Sequence, residues 1–152
     1  MSGLEIWELA ILPFLLNNCE TWTEISPKTI DLLDNIQCMF YRCLMATPRA
    51  CPIPSLLWET GGTMMEHMIA KKKLIFFHHL TNLPMHSLAA KVFSEQPALS
   101  YPGLVMECTN LITSYNLPDF KKLSKKQWKN IVNKKIKKKN MFSLLEKIKS
   151  YK

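Results

Sequence analysis

Two-metal phosphoryl chemistry needs carboxylates that converge on ions about 3.5–4 Å apart. The aspartates of this chain are Asp31, Asp34 and Asp119, with no adjacent Asp-Asp pair. Asp31 and Asp34 fall on what the sequence pattern makes the polar side of a helix, where acids are ordinarily solvated. No catalytic residue is assigned on this basis, and the chain by itself is expected not to be an enzyme. The histidines give no chelate pattern either. His78 and His79 are neighbours, so on a helix their side chains diverge by about 100°. His67 shares a face with His78 from eleven residues away, roughly 16 Å along the axis. The cysteines Cys19, Cys38, Cys43, Cys51 and Cys108 are odd in number and form no Cys-x-x-Cys unit, which a zinc knuckle requires. Gly61-Gly62 lacks the long glycine-rich turn, lysine and hydroxyl of a phosphate loop, and reads as a helix stop. No metal, cofactor or small-molecule substrate is expected, and the buried thiols and partly buried histidines read as core groups. So do the tryptophans Trp7, Trp22, Trp58 and Trp128.

The lysines are different. Residues 1–118 hold 7 Lys+Arg against 10 Asp+Glu, whereas residues 119–152 hold 13 Lys against Asp119 and Glu146. The chain's net +8 therefore divides into −3 and +11. Lys121, Lys122, Lys125, Lys126, Lys129, Lys134, Lys135, Lys137, Lys138 and Lys139 follow one another with no acid between them. Like charges three and four apart destabilise a helix, and an anionic partner would relieve that repulsion. RNA or DNA phosphates fit best, because lysines neutralise a backbone without reading its bases. These ten lysines are the candidate nucleic-acid-binding residues.

The elements that would position them are helical. No alternating run bounded by hairpin turns occurs. A first helix is expected over about Leu4–Trp22, disturbed near Pro13. Ser26-Pro27 reads as a cap with proline at the first helical position. In the helix that follows, Leu32, Leu33, Ile36, Met39, Phe40, Cys43 and Leu44 fall in one sector and are expected to face the core. Lys28, Asp31, Asp34, Asn35, Cys38, Tyr41 and Arg42 are expected outside. Pro48, Pro52 and Pro54 make a connector to a short helix, Ser55–Thr60, stopped at Gly61-Gly62. Thr63-Met-Met-Glu66 matches a capping box and opens a helix to about Asn82. Its apolar residues cover most of its circumference, which places it at the centre. Two short helices, His86–Gln96 and Pro102–Tyr115, precede a second capping box, Ser124-Lys-Lys-Gln127. Trp128, Ile131, Val132 and Ile136 share a face of the basic helix. Met141, Leu144, Leu145 and Ile148 fall on the opposite side, which predicts a kink or stop near Asn140. The expected architecture is all-α: an irregular array of six to eight helices around one core, with a lysine-rich C-terminal helix. Two portions are expected, a helical region over 1–118 and a basic helical segment over 119–152.

The length of 152 residues and the 47% hydrophobic content suit a core that needs no disulfide or metal. Glu5 and Glu8 stand where a signal peptide carries basic residues. The longest apolar stretch, Leu9 to Leu16, is far short of the ~20 residues that cross a bilayer. The protein is expected in the cytoplasm or nucleus, neither secreted nor in a membrane.

Three stretches in order resemble the region downstream of the polymerase active site in non-LTR (LINE-type) retrotransposon reverse transcriptases. They are Ile11-Leu-Pro-Phe-Leu-Leu-Asn-Asn-Cys-Glu-Thr-Trp22; Leu33-Asp-Asn-Ile-Gln37 with Phe40, Arg42, Leu44, Pro48, Pro54, Glu59 and Gly61; and Lys73-Leu-Ile-Phe-Phe-His-His-Leu80. Where the family often has Tyr-Gly after the leucines, this chain has Asn17-Asn18. The resemblance implies a thumb-like helical element and a linker that hold template, primer or nascent duplex, with no chemistry of their own. It implies the missing polymerase portion of the same element as a partner. Met1 opening directly on this sequence suggests a truncated element copy. The alternative is a protein-interaction module whose basic segment binds an acidic partner protein. Trp128 and Met141 stand in the 1–14 spacing of helix-in-groove targets such as those calmodulin embraces. Attachment to anionic lipid through the same helix would have only a narrow apolar face to work with.

Overall fold

In the computed structural model, residues 2–96 and 103–151 are described, and among them there are seven helices and no strand. The first, α1 (residues 3–15), widens to a π-helix over Trp7–Ile11 before closing again over Leu12–Leu15. Pro13 has no N–H and its ring would collide with the carbonyl four residues back. The wider turn before it absorbs the conflict, with the Leu12 N–H bonded to Trp7 O. The chain leaves α1 earlier than expected. Asn18 is left-handed at φ 55°, and a short 3-10 turn over Cys19–Thr21 follows.

Helix α2 (Pro27–Met45) begins as expected, with Ser26 Oγ accepting the Thr29 N–H at 3.2 Å. Helix α3 (Ile53–Thr60) stops at left-handed Gly61, and the Gly62 N–H turns back to Leu57 O at 2.8 Å. Gly61 takes a φ of +67° that favours glycine, and a Cβ at Gly62 would come within 2.8 Å of the Leu57 side chain and 3.0 Å of the Tyr41 ring, which would have to shift. Then come α4 (Met65–Thr81), α5 (Leu88–Glu95, capped by Ser87), α6 (Leu104–Ser114) and α7 (Lys125–Ser150). The expected start of the sixth helix at Pro102 lies outside the described residues, as do Pro97 and Tyr101.

Helix α4 is the centre of the array, packing on α2, α5, α6, α7 and the Cys19–Thr21 turn. It supplies residues to every apolar cluster. Met65 and Ile69 join Trp7, Leu16, Leu33, Leu57 and Leu144. Ala70 and Leu74 join Tyr115, Trp128, Val132 and Ile136, while Phe77 joins Leu104 and Cys108.

Three expectations are corrected. The core-facing side of α2 is not the apolar sector. Leu33, Asp34, Gln37, Cys38 and Tyr41 are buried, whereas Leu32, Ile36, Met39, Cys43 and Leu44 are exposed. Asp34 goes inward because its Oδ1 accepts the Met65 N–H at 2.8 Å, at the start of α4. Second, Thr63 does not cap α4. Met64 stands at the cap without a side-chain bond. Its N–H is taken at 3.0 Å by Asn140 Oδ1 from α7, so α4 is capped by two other helices. Third, α7 has no break at Asn140 and runs unbroken for 26 residues. Trp128, Val132, Ile136, Asn140 and Leu144 are its buried stripe. Steps of four drift about 40° each around a helix, so Leu144 lies about 160° from Trp128. The apparent change of side is this drift. Asn140 fills the polar step in it, accepting from Met64 N–H and donating to Gly62 O at 3.1 Å.

Candidate nucleic-acid interface

Helix α7 is held by its buried stripe and by both ends of its polar bonding. Ser124 and Gln127 form the expected capping box at its start. Trp128 is 1% exposed, donates its indole N–H to Leu74 O at 2.9 Å and stacks on His78 at 5.6 Å. That burial removes Trp128 as an anchor for an embracing partner. The expected core role of the tryptophans holds for Trp7 and Trp128, whereas Trp58 is 41% exposed.

With one side fixed on α4 and α3, the lysines of α7 are left outside. Lys125, Lys126, Lys129, Lys134, Lys135, Lys137 and Lys138 are all exposed. Lys134 and Lys138 lie about 160° around the axis from buried Ile136, and Lys125 to Lys138 extends over roughly 20 Å. Among the described residues the ion pairs are Lys73–Glu107 and the His67–Glu66 contact, so no acid neutralises this surface at short range. Lys121 is exposed in the 3-10 turn Phe120–Lys122, which starts from an Asp119 carboxylate accepting the Lys121 N–H at 3.0 Å. The side chain of Lys122 lies outside the described residues. Lys139 is not part of the free surface. Its ammonium donates to Ser114 O at 3.0 Å and Ser114 Oγ at 2.9 Å, and it sits 4.3 Å over the Tyr115 ring. It fastens α7 to the end of α6.

Lys71, Lys72 and Lys73 on α4 were not among the sequence candidates, although the run of three was visible. Each has a separate fate. Lys73 is buried and paired with Glu107, whose other oxygen accepts the Glu24 N–H at 2.7 Å. Lys72 donates to Leu16 O at 3.0 Å, closing the end of α1. Lys71 is half-buried, and its pKa is lowered by that burial and by Lys129 on α7. The cationic surface therefore continues from α7 onto α4 at Lys71.

No family model, curated protein or solved structure matches this chain.

Of the remaining thiols and histidines, Cys43, His79 and His86 are exposed and Cys51 is half-buried, which corrects the expected core role of these four; the rest are built into the core. Cys19, Cys38 and Cys108 are buried, and burial pushes their thiols up to about 11, 11 and 12. Such thiols are poor nucleophiles at neutral pH. His67 Nδ1 lies 2.6 Å from the Tyr115 hydroxyl, and Nε2 faces Glu66 Oε1 at 3.5 Å. Burial lowers the His67 pKa despite Glu66 and raises that of Tyr115. The neutral imidazole with its proton on Nε2 suits both neighbours, with the phenol donating to Nδ1. Asp34 is raised by burial, against the Met65 N–H that favours its carboxylate. Among the described residues no three His, Cys, Asp or Glu side chains are grouped to hold a metal ion. No described helix is long and apolar enough to cross a membrane.

Proposed function

We propose that this chain is a non-catalytic, nucleic-acid-contacting portion of a non-LTR retrotransposon reverse transcriptase, holding a phosphate backbone on the outer face of α7. The observation that carries the contact is the set of seven exposed lysines along about 20 Å of one unbroken helix, none of them paired with an acid among the described residues. Over that length a duplex presents about one phosphate charge per 1.7 Å, ample for Lys126, Lys134, Lys135, Lys137 and Lys138, which lie within about 180° of one another around the axis. The helix pays for its like charges in repulsion, and a polyanion removes it. Support for the family reading comes from the turn after α1. Asn18 stands where the family often places glycine, and it is left-handed, the conformation for which glycine is the usual choice and asparagine the usual substitute.

The test is fluorescence anisotropy with a duplex over a salt series. If about five lysines touch phosphates, the log–log slope is about −4.5, with little dependence on base sequence. Replacing Lys126, Lys134, Lys135, Lys137 and Lys138 with glutamine flattens that slope; Lys139 is left intact because it fastens α6. An equal slope and affinity for the variant overturns the proposal. Tighter, competing binding of an acidic polypeptide would instead favour a protein partner for the same face.

A further inference from the structure

Beside the cationic face of α7 lies a groove of about 890 Å³, bounded by α1, α3, α4 and α7. This is within the ~300–1,000 Å³ of ordinary ligand sites. Its floor is apolar, with Leu12, Leu57, Met68 and Ile136 among the lining residues. Its charged lining residues are Lys71, Lys72 and Lys137 against Glu8, beside the uncharged polar Thr63, Asn133 and Asn140. Lys72 is occupied by Leu16 O, which leaves Lys71 and Lys137 as ammonium groups on opposing helices that no acid, Glu8 included, pairs with among the described residues. Trp58 lines the same groove and is the tryptophan that the fold leaves most open, whereas Trp7 and Trp128 are each 1% exposed.

A ligand matched to this groove carries negative charge at its edge and a flat apolar body. A duplex cannot offer the second, since its bases are stacked inside. An unpaired strand offers both, and every base has a face that stacks on an indole. Lys137 belongs to the groove and to the outer row of α7, so a strand following the lysines reaches the groove without leaving positive surface. Resting on the reading of α7 as a phosphate-binding face, we infer that this groove takes an unpaired stretch of the same nucleic acid, with a base against Trp58 and its phosphates between Lys71 and Lys137. The burial of Lys71 beside Lys129, which depresses its pKa, gives a bound phosphate a further repulsion to relieve.

The experiment compares a blunt duplex with the same duplex bearing an unpaired tail of a few nucleotides, using the full chain and anisotropy. The tailed duplex is expected to bind about fivefold tighter or more, the lower range for one base–aromatic stack, and to quench tryptophan fluorescence. Trp58→Ala should abolish the preference while leaving blunt-duplex affinity unchanged; Trp58→Phe should retain part of it. Lys71→Gln should reduce it. The circular dichroism of each variant reports whether the fold is kept. If the blunt duplex binds with the expected salt slope and the tail adds nothing in wild type, the groove assignment fails and the α7 proposal stands. If neither probe shows a salt-dependent affinity, the α7 proposal fails as well. Quenching by a medium-chain fatty acid that displaces the tail overturns the assignment in favour of an apolar anion.

Discussion

Asp34 and Asn140 show how a polar side chain earns a buried position in this protein. Each accepts one of the backbone N–H groups that the start of α4 cannot satisfy within its own helix. Removing either acceptor leaves a donor buried without a partner, a loss of about 1–3 kcal/mol. Asp34→Ala and Asn140→Ala are each expected to destabilise by that amount in urea denaturation, while Asp34→Asn, which keeps an acceptor oxygen, loses less. Stability unchanged in Asp34→Ala would show that water replaces the carboxylate. His67 makes a second prediction at this scale. In the folded chain, burial, Lys139 and Lys147 hold its pKa below the ordinary 6.5, with Glu66 opposing them. As pH falls through about 6.5, the unfolded chain takes up a proton that the folded one refuses. The unfolded state then binds more protons, so stability declines from neutral pH downwards. Thermal denaturation should show that decline shrinking in His67→Gln. An equal pH dependence in both proteins would place the decline elsewhere.

The orientation of α2 is settled at the level of the element. Leu33 is buried, while Leu32 and Met39 are 60% and 68% exposed. Leu33→Ala should therefore destabilise by about 2–5 kcal/mol, whereas Leu32→Gln and Met39→Gln should change stability by no more than about 0.5 kcal/mol. Chemical denaturation of the three variants checks this, and equal losses would restore the apolar sector as the core face. The reason that periodicity misassigns this helix is physical. An apolar count weighs burial in oil-like surroundings and gives no weight to a carboxylate capping another helix or to a Gln37–Tyr41 side-chain bond at 3.4 Å. The expected break at Asn140 came from the drift of a stripe spaced by four, and the same blindness hid Asn140 itself, a buried residue whose value lies in bonds to Gly62 and Met64, distant in sequence. It also produced the Thr63 capping box, a local pattern displaced by two tertiary acceptors. What was legible was local chemistry not contested from afar: the Ser26-Pro27 start, the Gly61 stop, the Ser124–Gln127 box and the centrality of α4. The lysine face of α7 was legible because charge needs no partner in the fold to be recognised. Lys139 and Lys71 were not, since the first is withdrawn by Ser114 and Tyr115 and the second is added by the way α4 packs against α7.

For the whole molecule, the asymmetry of charge opposes the fold that carries it. The first 118 residues are net −3 and the last 34 net +11, yet the described structure contains no acid close enough to the exposed α7 lysines to pair with them. The free protein therefore holds these lysines against mutual repulsion, which added salt screens over a Debye length of about 10 Å at 0.1 M. Neighbouring lysines along one helix lie within that distance. Two consequences separate a ligand-binding surface from a merely solvated one. The melting temperature of the free protein should rise with sodium chloride, and the variant with Lys126, Lys134, Lys135, Lys137 and Lys138 changed to glutamine should melt higher at low salt and respond less. Duplex should raise the melting temperature of the wild type at low salt, since a ligand that binds only the folded chain stabilises it, and should do so far less for the variant. A variant that is both more stable and a poorer binder identifies lysines placed for a partner at the expense of the isolated fold. A variant no more stable than wild type at low salt would mean that repulsion on α7 is already relaxed by solvent, leaving no strain for a polyanion to relieve.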